Sequence, residues 1–332
     1  MAKDIYEQMT DKIMLTGSKL IPELFRMIAD EDEAHLLMAM PGTPEQLAEK
    51  TGRALDAVEE SCRTLYQKGL AFKSLKGGTV GYKMCRDMIQ FHDATILWAD
   101  APLAYLDLWQ RFMEEEWPMF ARLAAQFFPK AFTRVIPVDQ SLDPANQQVL
   151  DADSARKIIT DADVIAVTRC TCRVIAHKCD MPLEVCLQVG NAARYTIDRG
   201  SGREVSIQQA LDILKMSEEK GLVHVTMNRS HAGHFICNCC SCCCQALPLV
   251  ISEGLKILDP SRFQAVIDPE LCSGCETCLD RCRFNAIETV DADTAIMRVI
   301  AEKCMGCGLC QITCPESAIS LKAIRPADFI PA

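Results

Sequence analysis

Apolar positions along the chain follow two periods. Leu55, Val58, Cys62 and Leu65 recur at 3-4-3 spacing, which predicts an amphipathic helix from about Ala54 to Lys68, ended by Gly69. Before it, a helical run from Glu31 to Met40 breaks at Pro41-Gly42. The stretch TPEQLAEKTG then predicts a short helix with Pro44 in its first turn and Gly52 just past its end. AFKSL and VGYKM, on either side of Gly77-Gly78, have the pattern of a hairpin. From 88 to 132 the chain is dense in Phe91, Trp98, Tyr105, Trp109, Phe112, Trp117, Phe120, Phe127 and Phe128. Two helices fit there, divided at Glu114-Glu115-Glu116, with the aromatic stripe serving as core or as a dimer surface. Farther on, a helix (Ser154 to Thr160) leads into a strand (Val164 to Val167). Later Ser206, with Gln209 three residues on, opens a longer helix that stops at Gly221 before a strand from Leu222 to Thr226. A Cys-x-Cys follows each helix–strand pair, at Cys170/Cys172 and at Cys237/Cys239. This predicts a small α/β layer that carries thiols toward one shared site.

Composition narrows the class. The 332 residues are 49% hydrophobic and 24% charged, as in a packed globular protein. No apolar run is long enough to span a membrane, and MAKDIYEQMT is not a secretory signal, so a cytoplasmic protein is expected. The net charge of −10 disfavours a general nucleic-acid binder and suits a basic protein partner. There are 20 cysteines, and in a reducing compartment clustered thiols are metal ligands more often than disulfides. Two lie before residue 100, ten between 170 and 244, and eight between 272 and 314.

The last eight form a repeat. Cys272-x2-Cys275-x2-Cys278-x3-Cys282 recurs 32 residues later as Cys304-x2-Cys307-x2-Cys310-x3-Cys314, followed by Pro315. The same offset maps Gly274 onto Gly306, Ala286 onto Ala318 and Ile287 onto Ile319. Three thiolates within seven residues can wrap one corner of a cubane, while paired zinc knuckles fit poorly because no histidine takes part. Over about 263–323 the chain resembles the bacterial two-cluster ferredoxins. The resemblance implies two [4Fe-4S] clusters with crossed fourth ligands, one on Cys272, Cys275, Cys278 and Cys314, the other on Cys304, Cys307, Cys310 and Cys282. Arg283 stands where that family usually has proline, and its cation is expected to raise the potential of the nearer cluster.

The middle ten are less regular. Cys170, Cys172, Cys179 and Cys186 form C-x-C-x6-C-x6-C, and Cys237 to Cys244 form C-x-C-C-x-C-C-C, more thiols than one cubane can use. A helical turn near Cys240 would put Cys240, Cys243 and Cys244 on one face. The run from RCTCR to FICNCCSCCC resembles uncharacterised iron-sulfur proteins of anaerobes, in which a cysteine-rich domain precedes a dicluster ferredoxin. One or two further iron-sulfur clusters are expected here, on Cys170, Cys172, Cys179, Cys186, Cys237, Cys239, Cys240 and Cys243. A zinc site that recruits His177, His224, His231 or His234 and a set of reactive thiols are the other readings. His231 and His234 are candidate proton or hydrogen-bond donors, and Arg173 and Arg229 candidate counter-charges to cluster thiolates. No G-x-G-x-x-G after a strand and no G-x-x-x-x-G-K-S/T is present, so electrons must come from a redox partner protein or a flavin without a fingerprint.

At the N-terminus the order helix, helix, helix, hairpin over about 65 residues resembles MarR- or ArsR-like winged-helix domains. The surface that would meet DNA carries Asp56, Glu59 and Glu60 against Arg53 and Arg63, and carboxylates repel phosphate. The hairpin is more basic, with Lys73, Lys76, Lys83 and Arg86. An interaction module, docking a partner or building a homodimer, is therefore expected over a DNA-binding one. The expected fold class is an α+β multidomain protein. Its parts are a winged helix over 1–86, a helical linker or dimerisation segment over 87–132, a cysteine-rich α/β iron-sulfur domain over 133–258 and a dicluster ferredoxin domain over 259–332. The expected function is electron transfer within an anaerobic oxidoreductase system. A reductase with a substrate-accessible middle cluster and a redox-responsive DNA-binding regulator stay open.

Overall fold

The computed structural model describes residues 3–142, 149–230, 235–290 and 295–332. Two compact units divide the chain: Met1–Phe120 with Val174–Ala176, and Ala121–Arg173 with His177–Ala332.

The first unit begins with helices α1 (Ile5–Lys12), α2 (Leu20–Ile28), α3 (Glu31–Ala39), α4 (Pro44–Thr51) and α5 (Leu55–Lys68). Local chemistry sets their ends. Asp30 with Glu33, and Thr43 with Gln46, close reciprocal capping boxes on α3 and α4, and Gly52 takes the left-handed conformation after α4. Val58, Cys62 and Leu65 are fully buried, as their spacing on α5 requires, whereas Leu55 at the first position of the helix is exposed, which corrects its place on that face. Cys62 is accordingly a core thiol, raised to about 11 by burial. Strands β1 (Ala71–Lys76) and β2 (Thr79–Met84) pair antiparallel from Ala71 with Met84 to Lys76 with Thr79. Gly77 and Gly78 both have positive φ between them, as a two-residue hairpin loop demands.

Between 88 and 132 the expectation of two helices is corrected to three: α6 (Met88–Ile96), α7 (Leu103–Glu115) and α8 (Trp117–Phe127). The extra break precedes Pro102, which disfavours helical backbone before it and serves as the extended N-cap of α7. The aromatic stripe is largely core. Phe25 stacks on Phe91 with ring centroids 4.1 Å apart, and Tyr105, Trp109 and Phe112 are fully buried. Thr95 Oγ1 accepts from the Trp109 indole at 3.3 Å and from the Tyr105 hydroxyl at 2.7 Å, so both polar tips are satisfied. Phe127 and Phe128 are exposed.

The second unit is built on a seven-stranded sheet. Its strands are β3 (Thr133–Val135), β4 (Ile165–Arg169), β5 (Glu184–Val189), β6 (Arg203–Glu204), β7 (Val223–Met227), β8 (Phe235–Cys239) and β9 (Leu258–Asp259). In space they run β6-β4-β5-β8-β7-β3-β9, and every pairing is antiparallel except β3 with β9. Helices α9 (Ala155–Thr160), α10 (Thr171–Ala176), α11 (Asn191–Asp198), α12 (Ile207–Glu219) and α13 (Leu247–Glu253) connect them. The apolar side of α12, through Ala210 and Leu214, packs with Ile158, Ile159, Val167, Leu187 and Ile236. The strand β5 escaped the sequence reading, although Val185, Leu187 and Val189 alternate with less buried residues at period two.

The C-terminal part of this unit carries β10 (Phe263–Ile267), α14 (Thr277–Arg281), β11 (Ile287–Thr289), β12 (Met297–Val299) and β13 (Ile319–Ala323). β10 pairs antiparallel with β13, and β11 with β12. The 32-residue repeat is also a repeat of backbone conformation: Gly274 and Gly306, Glu276 and Gly308, and Asn285 and Ser317 all have positive φ. At Gly306 only hydrogen fits, since a Cβ would lie 2.1 Å from the Phe263 carbonyl oxygen. No helix among the described residues is long and apolar enough to cross a membrane.

Candidate metal centres

The turns of the C-terminal repeat deliver eight thiols to two cavities. One is lined by Cys282, Cys304, Cys307 and Cys310 with Phe284, Ile287 and Val299. The other is lined by Cys272, Cys275, Cys278 and Cys314 with Ile267, Met297 and Ile319. Each cavity thus collects three cysteines of one motif and the last cysteine of the other, the crossed sets that the ferredoxin resemblance implies. Burial raises Cys278 to about 11 and Cys307 to about 12, so a bare thiolate at either is costly. A cationic iron group repays that cost when the thiol proton leaves, and eight soft sulfur ligands around two apolar cavities fit the group.

The two cavities differ in access. Cys275 is exposed, and so are Asp268, Glu270, Glu276 and Asp280, all within seven residues of it along the chain; Glu276 also lines its cavity. Cys304 and Cys310 are buried. Arg283, in the family's proline position, donates through Nε to the Gly221 carbonyl at 3.0 Å. Arg281 donates to the carbonyls of Glu218 and Glu219, so both cations meet the C-terminal end of α12, where the helix dipole is negative.

In the middle segment the thiols collect in two places, and the two Cys-x-Cys pairs meet in the first of them. β4 leads directly into Cys170, the N-cap of α10, and Cys172 sits in that helix's first turn. β5 places Cys186 opposite Thr168, and β8 presents Cys237 and Cys239, alternate residues and so on one face. Cys172 and Cys186 donate hydrogen bonds to Cys170, Cys237 donates to Cys186, Cys239 to Cys237 and Cys244 to Cys239. These six form one nest. Hydrogen bonding from Cys172 and Cys186 holds the Cys170 thiol far below its ordinary value, and Cys172 and Cys186 are raised in return.

The second place is formed by Cys179, Cys240, Cys242 and Cys243, whose sulfurs all lie within 4.8 Å of one another. Here the helical face expected of Cys240, Cys243 and Cys244 is corrected. Residues 241–243 form a turn after β8, Cys240 and Cys243 stay together, and Cys244 joins the nest. Cys242 and Cys244, absent from the expected ligands, are therefore in the two sets; the unbroken C-x-C-C-x-C-C-C run was the signal for them. Arg173 lies between the sets. Its Nε donates to Cys240 Sγ at 3.4 Å, its other nitrogens donate to the carbonyls of Pro182 at 2.8 Å and Asn238 at 2.6 Å, and its charge also acts on Cys170 and Cys239. Burial raises the Cys240 thiol, but Arg173's charge and hydrogen bond bring it down to about 7.

Histidine does not join either set among the described residues. His224 is fully buried with both ring nitrogens facing oxygens, Asn238 Oδ1 at 2.5 Å and Glu218 Oε1 at 3.3 Å. It is a satisfied core residue. His177, in left-handed conformation after α10, lies outside the four-sulfur group. His231 and His234 fall outside the described residues.

Comparison with known proteins agrees with this geometry. Residues 265–321 match the 4Fe-4S dicluster domain. A 64-residue stretch is 33% identical to an uncharacterized ferredoxin of Methanocaldococcus jannaschii, covering 83% of that protein and 19% of this chain. Through this C-terminal segment the chain belongs to the 4Fe-4S dicluster ferredoxins. It is also 33% identical over 97 residues to hydrogenase-4 component A of Escherichia coli K12, spanning 28% of this chain and 45% of that relative's length. These relatives support an iron-sulfur electron-transfer protein and favour neither the reductase nor the DNA-binding regulator. They give no support to the MarR- or ArsR-like likeness of the N-terminal part. No solved structure matches the chain.

Proposed function

We propose that this chain relays electrons between a protein partner and a third iron-sulfur centre in its middle segment, by way of the two clusters of its ferredoxin domain. When bound, the clusters supply one-electron capacity at potentials set by their surroundings. The observation that carries the reading is the pair of cavities, each lined by a crossed set of four cysteines. Cys272, Cys275, Cys278 and Cys314 hold the outer position. The exposed Cys275, with the exposed Asp268, Glu270, Glu276 and Asp280 close to it in the chain, makes this the port for a basic partner. Cys282, Cys304, Cys307 and Cys310 hold the inner one.

Both cluster positions share a continuous apolar core with the nest. Cys237, Cys239 and Cys244 pack against the cluster of buried residues that holds Cys278, Cys304, Cys310, Leu309 and Phe284. Cys170, Cys172 and Cys186 complete the nest's ligand supply, with Arg173 offsetting its negative charge. The likeness to a hydrogenase component points to a redox enzyme as the partner.

Anaerobic iron and sulfide analysis, with paramagnetic resonance of the reduced protein, tests the relay. About twelve irons with matching sulfide are expected, four per cubane. About eight would confine the clusters to the C-terminal domain and end the proposal of a third centre.

A further inference from the structure

The four-sulfur group outside the nest is too tight for a cubane and the right size for something smaller. A tetrahedral ion with metal–sulfur bonds of about 2.3 Å has sulfur–sulfur edges of about 3.8 Å. Cys179 Sγ lies 3.8 Å from Cys240 Sγ and 3.6 Å from Cys243 Sγ, and Cys242 Sγ lies 3.7 Å from Cys243 Sγ. Among the described residues this is the one set of three or more thiol, imidazole or carboxylate donors that closes to within 4.8 Å. The eight ferredoxin cysteines instead line two pockets, four to each, and no three of them close to that distance.

We infer that Cys179, Cys240, Cys242 and Cys243 hold a single divalent metal ion, zinc by ligand preference, in a four-thiolate site separate from every iron-sulfur cluster. Four soft sulfurs and no open position make a structural site. Binding replaces four thiol protons by one ion of charge +2, leaving a net −2 on the group, and Arg173 Nε on Cys240 meets that charge. The ion ties the loop between α10 and β5, which carries Cys179, to the turn that leaves β8. Both segments continue into the nest, through Cys186 and Cys239. The ion therefore fixes the approach of the nest's ligands without exchanging electrons itself.

The test is metal and sulfide content of the full chain, purified without oxygen, for the wild type, Cys179→Ser and Cys242→Ser. Cys242 is exposed, so its variant keeps the fold even where Cys179→Ser does not. The expected wild type holds one ion per chain beyond the iron that inorganic sulfide accounts for. Cys242→Ser loses that ion while its sulfide stays at the wild-type level. Loss of a single iron without sulfide would support the same four-thiolate site with iron in place of zinc. Loss of about four irons and four sulfides together would overturn the inference and make these cysteines cubane ligands. Unchanged metal content in both variants would overturn it as well. Because sulfide reports the clusters and the extra ion reports this site, failure of the relay and failure of the tetrathiolate site give different results.

Discussion

Asn238 carries two jobs at once, and its neighbours show how single residues hold the nest in place. Its Nδ2 donates to the Val185 carbonyl at 2.6 Å, its Oδ1 faces His224, and its own carbonyl takes the Arg173 bond. Because Cys237 and Cys239 flank it on the strand, anchoring Asn238 on one face of β8 aims both thiols at the other. Behind His224, Glu218 accepts from Gln140 Nε2 at 2.6 Å. Burial raises the Glu218 carboxyl, but the hydrogen bond and charge of His224, with Gln140, hold it below its ordinary value. A depressed carboxyl contributes stability that is complete above the unfolded-state value, about 4.3, and is lost as pH falls through the folded one. Glu218→Gln should therefore flatten the acid limb of the stability profile and cost roughly 1–3 kcal/mol at neutral pH. Urea unfolding across pH 3.5–7 reads both, and parallel curves for the two proteins would refute the assignment. None of this network was legible in the sequence. A histidine near ten cysteines invites a metal reading, and only the register of β7 on β8, which pairs His224 with Asn238, shows that both its nitrogens are engaged.

At the scale of elements, what repeats was readable and what crosses the chain was not. The 32-residue offset disclosed the ferredoxin fold because identical turns need identical backbone, and the paired positive-φ positions are its imprint. Likewise α4, α5 and α12 could be placed from caps and apolar spacing, which are local signals. The division of the middle thiols into sets of six and four depends on strand order, and β8 inserting between β5 and β7 has no local trace. The crossed ligand sets make an element-level prediction. Cys282→Ser should remove the same paramagnetic signal as Cys307→Ser, although Cys282 lies in the first motif. Cys314→Ser should match Cys272→Ser. Spectra that group the variants by motif rather than by cavity would show that each motif closes its own cluster.

For the whole molecule, net charge and the placement of exposed carboxylates bear on the same encounter. Between residues 259 and 332 stand eleven acidic and seven basic residues. Several of those bases are turned inward: Arg262 onto buried Asp153 at 2.6 Å, Arg325 onto the Ser261 and Phe263 carbonyls, and Arg281 and Arg283 onto the end of α12. What remains outward near Cys275 is acidic, so the field at the port attracts cations and repels anionic partners over about one Debye length, ~10 Å at 0.1 M salt. The second-order rate of electron transfer with a small basic redox protein should fall roughly tenfold between low and high ionic strength. The double variant Glu270→Lys, Asp280→Lys should slow the low-salt rate by a similar factor while leaving cluster content and potentials near the wild type, because neither side chain lines the cavity of Cys272, Cys275, Cys278 and Cys314. Stopped-flow kinetics at several salt concentrations separates the cases. A rate indifferent to salt and to the charge reversal would mean that electrons enter elsewhere, and the exposed cysteine would then be only the thin wall of a cluster rather than its door.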